Sequence, residues 1–418
     1  MWRCWLYDTI TGLVVEPIRI PTFTWSVDIN SSTMNTTRDR RFGDTSATGL
    51  TVAWDGVPGT TKDAKAKAIA SYRRSILVCW LASDGKEYPV LGGAIGPRTD
   101  TRKDTSFQLI CPYDFLGYRY LINEGVFGAV HTTVTADNGQ TVETYATQDT
   151  ISYQNLSQRA IACDVIRRCT SMKPGGTLPI DLPYLGEEKI HLAADGTPNQ
   201  NYWRTYNGYD VANDSCKDIL GKLSATSYGP DMQFRPYLSD ERHVRYRFVA
   251  GSDDEPYLNQ TGLLYTLTSF PRGGNLQGVE IDNDGPIMRI YGTGDGSDAS
   301  MDCHLSEDLS LCEQADPWPL IELSRQDTNL TARSIASTYD AMLAAKSKPI
   351  AQLVGSMKPG DKGAPELGTF WPGELMGVWI KGHPGIVDGK YVMRLMELSG
   401  DQGPQVKMTF DIYVNPSW

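Results

Sequence analysis

Short apolar runs broken by glycine, proline and asparagine turns recur along the whole chain, and that spacing commits it to a mainly β fold. WRCWLYD (2 to 8) meets the turn TITG, and LVVEPIRI follows. In FTWSVDI, the residues Phe23, Trp25, Val27 and Ile29 alternate with polar partners, the period of a strand with one buried face. Pro17 cannot donate to a ladder, so the second run belongs at a sheet edge or a bend. SILVCWLA and EYPVLGGAI flank Asp84-Gly85 as a hairpin, and SFQLICP (106 to 112) reads as a further strand. Asn138-Gly139 marks a hairpin within 126 to 147, and the turn SDER joins MQFRPYL to HVRYRFVAG. LLYTLTSF and PIMRIYG are strands, and GVWIKG, KYVMRLMELSG and VKMTFDIYV return the end of the chain to sheet. The 40 Gly, 24 Pro, 21 Tyr and 10 Trp in 418 residues agree with that reading, because turns and aromatics favour sheet over helix.

Four segments break the two-residue period. TKDAKAKAIASYRR (61 to 74) is rich in helix formers. QNLSQRAIACDVIRRCTSM places Ile161, Val165, Ile166, Cys169 and Met172 at helical spacing, and Pro174-Gly175-Gly176 stops it. YDVANDSCKDILGKLSAT does the same with Val211, Cys216, Ile219, Leu220 and Leu223. LTARSIASTYDAMLAAK presents Ile335, Tyr339, Met342 and Leu343 on one face, with Asn329 as its cap. The stretch from Asn30 to Ala47 is polar and offers nothing to bury, and no fixed-period repeat appears. At this length several domains are expected. Residues 1–112 read as a small antiparallel barrel with one helical excursion and 113–200 as a β/α connecting domain. Residues 201–260 read as a helix-plus-strands α+β domain, and 261–418 as a C-terminal β-barrel domain with one helix.

The formal charge of −11 argues against a dedicated nucleic-acid binder, which needs basic patches to neutralise phosphates. The short basic spots at Arg38, Arg40 and Arg41, at Arg73 and Arg74, and at Arg167 and Arg168 read as solvated faces. Eight cysteines are spread without a CxxC, and Cys163 and Cys169 do not share a helix face. Free thiols in a reducing cytoplasm are expected, for Cys303 and Cys312 as well. MWRCWLYDTITG lacks the apolar core and cleavage site of a signal peptide, and no apolar run approaches the ~18 residues of a membrane span, so a soluble chain is expected.

Candidate chemistry fails motif by motif. GTGDG (292 to 296) begins a dinucleotide fingerprint, but Ser297 holds the third glycine position and no good helix follows, so it reads as a tight turn with positive φ angles. GSMKPGDK lacks the GK[ST] that grips phosphate and magnesium. Asp282-Asn283-Asp284-Gly285 opens like a calcium loop, yet Thr293 stands where the closing glutamate belongs, and the segment reads as a turn. His304 with Glu307 is the one tempting local pair, without a third metal ligand. Neither a GxSxG elbow nor HExxH occurs. The expectation is therefore no enzyme, with no catalytic, cofactor-binding or metal residue and no cofactor.

Four blocks, in order, carry a resemblance. They are MWRCWLYDTITGLVVEPIRIPTFTWSVDIN, with its Asp8-x-x-Thr11-Gly12 turn and its Trp25-Ser26-Val27 strand; WRTYNGYDVANDSCKDILGKLSATSYGPDMQFRP (203 to 236); IMRIYGTGDGSDAS; and GHPGIVDGKYVMRLMELSGD. Together they are similar to the minor tail proteins of long-tailed actinobacterial phages, the tail-hub or baseplate-hub family. Residues 30 to 72 and 125 to 150 have no counterpart in that pattern. The resemblance implies two small antiparallel β-barrels linked by α/β subdomains, assembled as a homotrimer at the distal tail tip of the virion after synthesis in the host cytoplasm. Three copies of two similar barrels would fit a trimeric tip to a hexameric tube. The implied partners are the distal tail protein ring, the C-terminus of the tape measure protein, and other minor tail and fibre proteins. DNA would pass the gated lumen without specific binding. Edge strands and the aromatics of the first 30 residues are the expected interface. A carbohydrate-binding receptor module and a cell-wall hydrolase remain as alternatives.

Overall fold

A computed structural model of the chain describes residues 1–35, 49–122, 130–135, 137–146, 150–192, 196–199, 204–226, 229–258, 264–328, 330, 332, 334–347 and 350–411. Strands β1 (Trp2–Asp8), β2 (Val14–Pro17), β3 (Thr24–Val27), β4 (Ser32–Asn35) and β5 (Leu50–Ala53) lead through α1 (Lys62–Ala68) to β6 (Arg74–Leu81). Then come β7 (Glu87–Asp100), β8 (Asp104–Ile110) and the single turn α2 (Pro112–Phe115). The middle of the chain adds β9 (Val130–Thr135), β10 (Thr141–Ala146), β11 (Thr150–Tyr153), α3 (Gln158–Cys169), β12 (Ile180–Asp181) and β13 (Arg204–Asn207). It ends with α4 (Cys216–Ser224), β14 (Met232–Leu238) and β15 (Val244–Ala250). The last part holds β16 (Thr266–Ser269), β17 (Gln277–Asp284), β18 (Arg289–Thr293), β19 (Cys303–Glu307), β20 (Glu322–Gln326) and α5 (Ile335–Lys346). It closes with β21 (Ile350–Met357), β22 (Leu375–Ile380), β23 (Gly389–Asp401) and β24 (Val406–Asp411).

Two large sheets share one apolar core. The first runs β2-β1-β6-β7-β8-β5 and the second β16-β22-β23-β24-β21-β17, and neither closes on itself among the described residues. Strand β6 explains the layering. Ile76, Val78 and Trp80 face the core between the sheets, while Leu77 and Cys79 face a second core on the other side, so a continuous apolar run replaces alternation. The second core packs α3, α4 and the β14-β15 hairpin against the back of the first sheet, where the hydroxyls of Tyr7 and Tyr246 meet at 2.7 Å. Helix α3 is buried nearly all round and starts at Ser157, whose hydroxyl accepts from the Ala160 N–H.

The two sheets repeat one unit. In the first, Ala94 on β7 pairs with Ser75 on β6 and with Ile110 on β8, and a bulge follows between Ile95 and Arg98. In the second, Arg394 on β23 pairs with Leu375 on β22 and with Asp411 on β24, and a bulge follows between Leu395 and Glu397. Each long strand thus exchanges its predecessor for its successor at a bulged pivot, which bends it. In each unit the preceding strand, β5 or β21, adds antiparallel to the far side of the last one. The units differ at the other edge, where β1 is antiparallel to β6 but β16 is parallel to β22.

Several expectations are corrected here. The strand FTWSVDI does not stay with the first sheet. β3 pairs with the second half of β23, and β4 pairs with β3, so the N-terminal segment staples the two sheets together. The stretch from Asn30 does bury something: Met34 on β4 is 2% exposed. The helix expected over 61–74 ends at Ala68, because Arg74 is already needed in β6. Asp282 to Asp284 lie in β17 and not in a turn. Helix α5 begins after Ser334, and the expected cap Asn329 lies outside the described residues. Met172 stands exposed beyond the end of α3.

An inserted unit between β17 and β21 answers the GTGDG question. Strands β19-β18-β20 form a small sheet covered on one face by α5, with Ile290, Ile335, Tyr339 and Leu343 between them. Only Gly296 of the three glycines has a positive φ. Gly292 is there because a Cβ would sit 2.0 Å from the Tyr339 ring, and Gly294 because one would sit 2.3 Å from the Leu330 carbonyl oxygen. The motif is a close helix-on-strand contact. Gly292→Ala is expected to cost about 1–3 kcal/mol by overpacking, and selective loss of hydrogen-exchange protection in α5 would show it.

Candidate assembly surfaces

Three of the four blocks that carry the family resemblance hold the units to one another. Asp8 Oδ1 accepts from the Ile10 and Thr11 N–H groups and the Thr11 hydroxyl, while Asp8 Oδ2 takes Arg74 at 2.7 Å. That turn delivers Gly12 to β15, where the Val244 N–H donates to the Gly12 carbonyl at 2.8 Å. In the second block, Asp231 ion-pairs with Arg394, and Arg235 pairs with Glu374 at 2.7 Å. Gln233 donates to the Pro372 carbonyl at 3.2 Å. Arg394 is 8% and Glu374 7% exposed, so this charged seam between β14 and the second sheet is largely dry. In the last block, the Gly382 N–H donates to Asp388 and the Asp401 carbonyl accepts the Trp25 indole N–H at 3.1 Å.

The expected aromatic interface is corrected by the same geometry. Trp2 packs edge-on against Phe23, Trp25 and Trp80 at centroid distances of 5.7, 5.2 and 5.3 Å. Phe23 and Trp25 are buried, so these two rings form core and are not available to a partner, while Trp2 and Trp5 stay half-buried.

The ionisable clusters read as structural. Asp164 on α3 is buried and accepts from Tyr153, Arg167 and Arg168. Burial opposes its charge, and these three hydrogen bonds overcome it, holding the carboxyl below its ordinary range. His304 does not pair with Glu307, which bonds Arg289 instead. Its Nε2 lies 2.9 Å from Asp340 Oδ1, and the Ser306 hydroxyl donates to that same oxygen at 2.6 Å. A nucleophilic triad needs the imidazole between hydroxyl and carboxylate. Here the carboxylate lies between, so Ser306 has no base. All eight thiols are free; the two in the inserted unit are held apart, Cys303 on the Met301 carbonyl and Cys312 on Met288 Sδ. Among the described residues no group of three or more His, Cys, Asp or Glu could hold a metal ion, and no helix is long and apolar enough to cross a membrane.

Asp214, at the end of the turn before α4, is the exception: burial pushes its carboxyl up to about 6. The unfolded group titrates near 3.8, so the native state binds the extra proton between about pH 4 and 6, and stability is lost as pH rises through that window. Asp214→Asn is expected to stabilise the fold at pH 7.5 by about 1–2 kcal/mol, with the gain vanishing near pH 4. Urea denaturation of both proteins at the two pH values measures this.

Several exposed patches are aromatic or apolar. Around Tyr72, Phe115 and Tyr118, edge-on ring contacts run 5.8 to 6.4 Å, with the Arg119 guanidinium 5.6 Å over Phe115. Tyr72 takes a left-handed backbone, φ 60°, a strained conformation for a bulky residue. The open face of the inserted sheet sets Tyr291 beside Leu305. A pocket of about 610 Å³ opens beside Trp54, with Lys62, Lys65 and Arg102 on its wall. No local sequence signal marks any of these, because exposure is decided by which faces the sheets leave uncovered.

No protein-family model matches the chain, and no curated protein matches it. Solved structures similar to it include tail and secretion components. A tail protein from Neisseria meningitidis MC58 is 10% identical with a TM-score of 0.42, covering 98% of this chain and 96% of its own. The 43 kDa tail protein of prophage MuSo2 from Shewanella oneidensis is 10% identical with a TM-score of 0.46, covering 98% of each chain. An E. coli component of the type VI secretion system, described as similar to T4 bacteriophage tail proteins, is 10% identical with a TM-score of 0.42, covering 96% of this chain and 75% of its own.

Proposed function

We propose that the chain is a structural hub protein of a phage tail tip, three copies of which form a ring between a six-fold tube and the fibre or receptor-binding proteins. The observation that carries this reading is the duplicated strand unit with its pivots at Ala94 and Arg394. A trimer of chains with two like units each presents six like units, the number a hexameric tube requires. The two open sheets are then the barrel-like halves of the hub, and the helical layer and the inserted unit are elaborations of it. Three of the four sequence blocks support the same reading, since their residues hold the units in fixed relation, while the third, IMRIYGTGDGSDAS, seats α5 within the inserted unit. In this role the chain performs no catalysis, carries no cofactor, and sits at the distal tip after assembly in the host cytoplasm. Its neighbours are the distal tail ring and the end of the tape measure protein, and its acidic balance keeps passing DNA from adhering.

Light scattering across a concentration series tests the ring. A mass three times the 46.2 kDa of one chain is expected, and a monomer at every concentration counts against it. A second reading, a glycan-binding receptor module, draws on the open pocket beside Trp54, because an aromatic ring among hydroxyls and cations suits an anionic sugar. Binding to host cell-wall glycan that is lost in Trp54→Ala, together with a persistent monomer, would favour that reading over the hub.

A further inference from the structure

We propose that the inserted unit of one copy docks, through its uncovered sheet face and the loop before β20, onto the tyrosine-arginine corner of the first sheet in a second copy. The inference rests on the ring reading and names the contact that closes it. The uncovered face has Tyr291 and Leu305 side by side, 45% and 48% exposed, and chain continuity carries the apolar surface into a loop where Trp318, Leu320 and Ile321 are also exposed. A three-stranded sheet covered on one side by a single helix leaves its other face to water or to a partner, and large exposed apolar clusters of this kind mark partners.

Charge says which partner. From Gly285 to Ser347 the sequence has ten acidic residues against four basic, and Glu313 and Asp316 stand exposed beside Trp318. The first sheet has the opposite balance, ten basic residues against seven acidic from Gly49 to Arg119, within a chain whose net charge is −11. Its corner joins Arg73 and Arg119 to Tyr72, Tyr118 and Tyr120, the residue types that dominate interface energetics. Tyr72 keeps its ring in this cluster at the cost of a left-handed backbone. An acidic apolar knob and a basic aromatic corner on different parts of one chain make a heterologous, head-to-tail contact, the kind that generates closed rings. The steering charges lie at the rim of each surface, where they set orientation and association rate.

The test uses the full chain in four forms, followed by sedimentation velocity over a concentration series. The forms are wild type, Arg73→Glu with Arg119→Glu, Glu313→Lys with Asp316→Lys, and all four changes on one chain. Wild-type trimer is expected, with each double reversal raising the half-assembly concentration about tenfold or more. The quadruple variant should recover at least most of that loss, because its two surfaces are again complementary; circular dichroism confirms that each variant is folded. Trimers of undiminished affinity in both double variants would overturn this contact while leaving the ring reading intact. A wild-type chain that stays monomeric throughout would overturn both.

Discussion

Replacing Arg394 by alanine should cost about 2–4 kcal/mol, among the largest losses available to a single substitution in this fold. The pivot of the second unit is a guanidinium where the first unit has Ala94, and the difference reflects what packs on each. Ala94 meets Ile110, Phe115 and Leu178, an apolar contact with no charge to satisfy. Arg394 instead pairs with Asp231, donates to the Gly373 carbonyl and lies 4.4 Å over the Tyr257 ring. Removing it leaves Asp231 facing a low-dielectric seam and removes the cation from an aromatic face. The Asp231 side chain keeps 26% of its exposure, which holds the penalty below that of a fully dry pair. A double-mutant cycle with Asp231→Ala separates the two effects. If the pair couples β14 to the second sheet, the interaction energy should be about 1–3 kcal/mol by urea denaturation. A coupling near zero would mean that Arg394 acts through packing alone. The neighbouring Arg235–Glu374 pair supplies a comparison within the same seam, and burial lowers the Arg235 guanidinium below its ordinary range.

How much of this was legible in the residues depends on range. β6, β7, β14, β15 and α3 were readable because their period and punctuation are local: Asp84-Gly85, the SDER turn and the Pro174-Gly175-Gly176 stop act within a few positions. The destination of β3 was not. Phe23, Trp25 and Val27 alternate as well for one sheet as for the other, and only the pairing of Val27 with Leu398 decides it. Met34 hid in a polar stretch because one buried side chain leaves no period. The duplicated unit stayed invisible because hydrogen-bond pattern, and not side-chain identity, defines it; Ala94 and Arg394 share no chemistry. Gly292 was recognised as structural for a different reason from the true one, since the constraint comes from Tyr339, 47 positions away. The candidate surfaces had no local signal at all. Tyr72, Tyr291 and Leu305 look like core residues in the sequence, and they are exposed because no element among the described residues covers them.

The Asp8-x-x-Thr11-Gly12 turn gives the sharpest second test, because two glycines with the same backbone isolate what contact adds. Gly12 and Gly139 have φ of +75° and +77°, so alanine at either pays the same left-handed penalty of about 1 kcal/mol. At Gly139 a Cβ would meet nothing within 4 Å. At Gly12 it would lie 2.1 Å from the Val244 carbonyl oxygen, a backbone atom that cannot rotate away. The hairpin must move, and movement breaks two main-chain bonds, Val244 N–H to Gly12 and Val14 N–H to Arg242. Each lost bond removes about 1 kcal/mol, more if its groups stay buried. Gly12→Ala is therefore expected to cost about 3 kcal/mol or more, and Gly139→Ala about 1 kcal/mol, measured by urea denaturation of the full chain. The excess should appear as loss of hydrogen-exchange protection in β2 and β15, the strands that the turn joins. Equal costs at the two positions would show that the turn tolerates separation from β15, and the rigid relation between the first sheet and the helical layer would then have to come from the Tyr7–Tyr246 contact and the surrounding core.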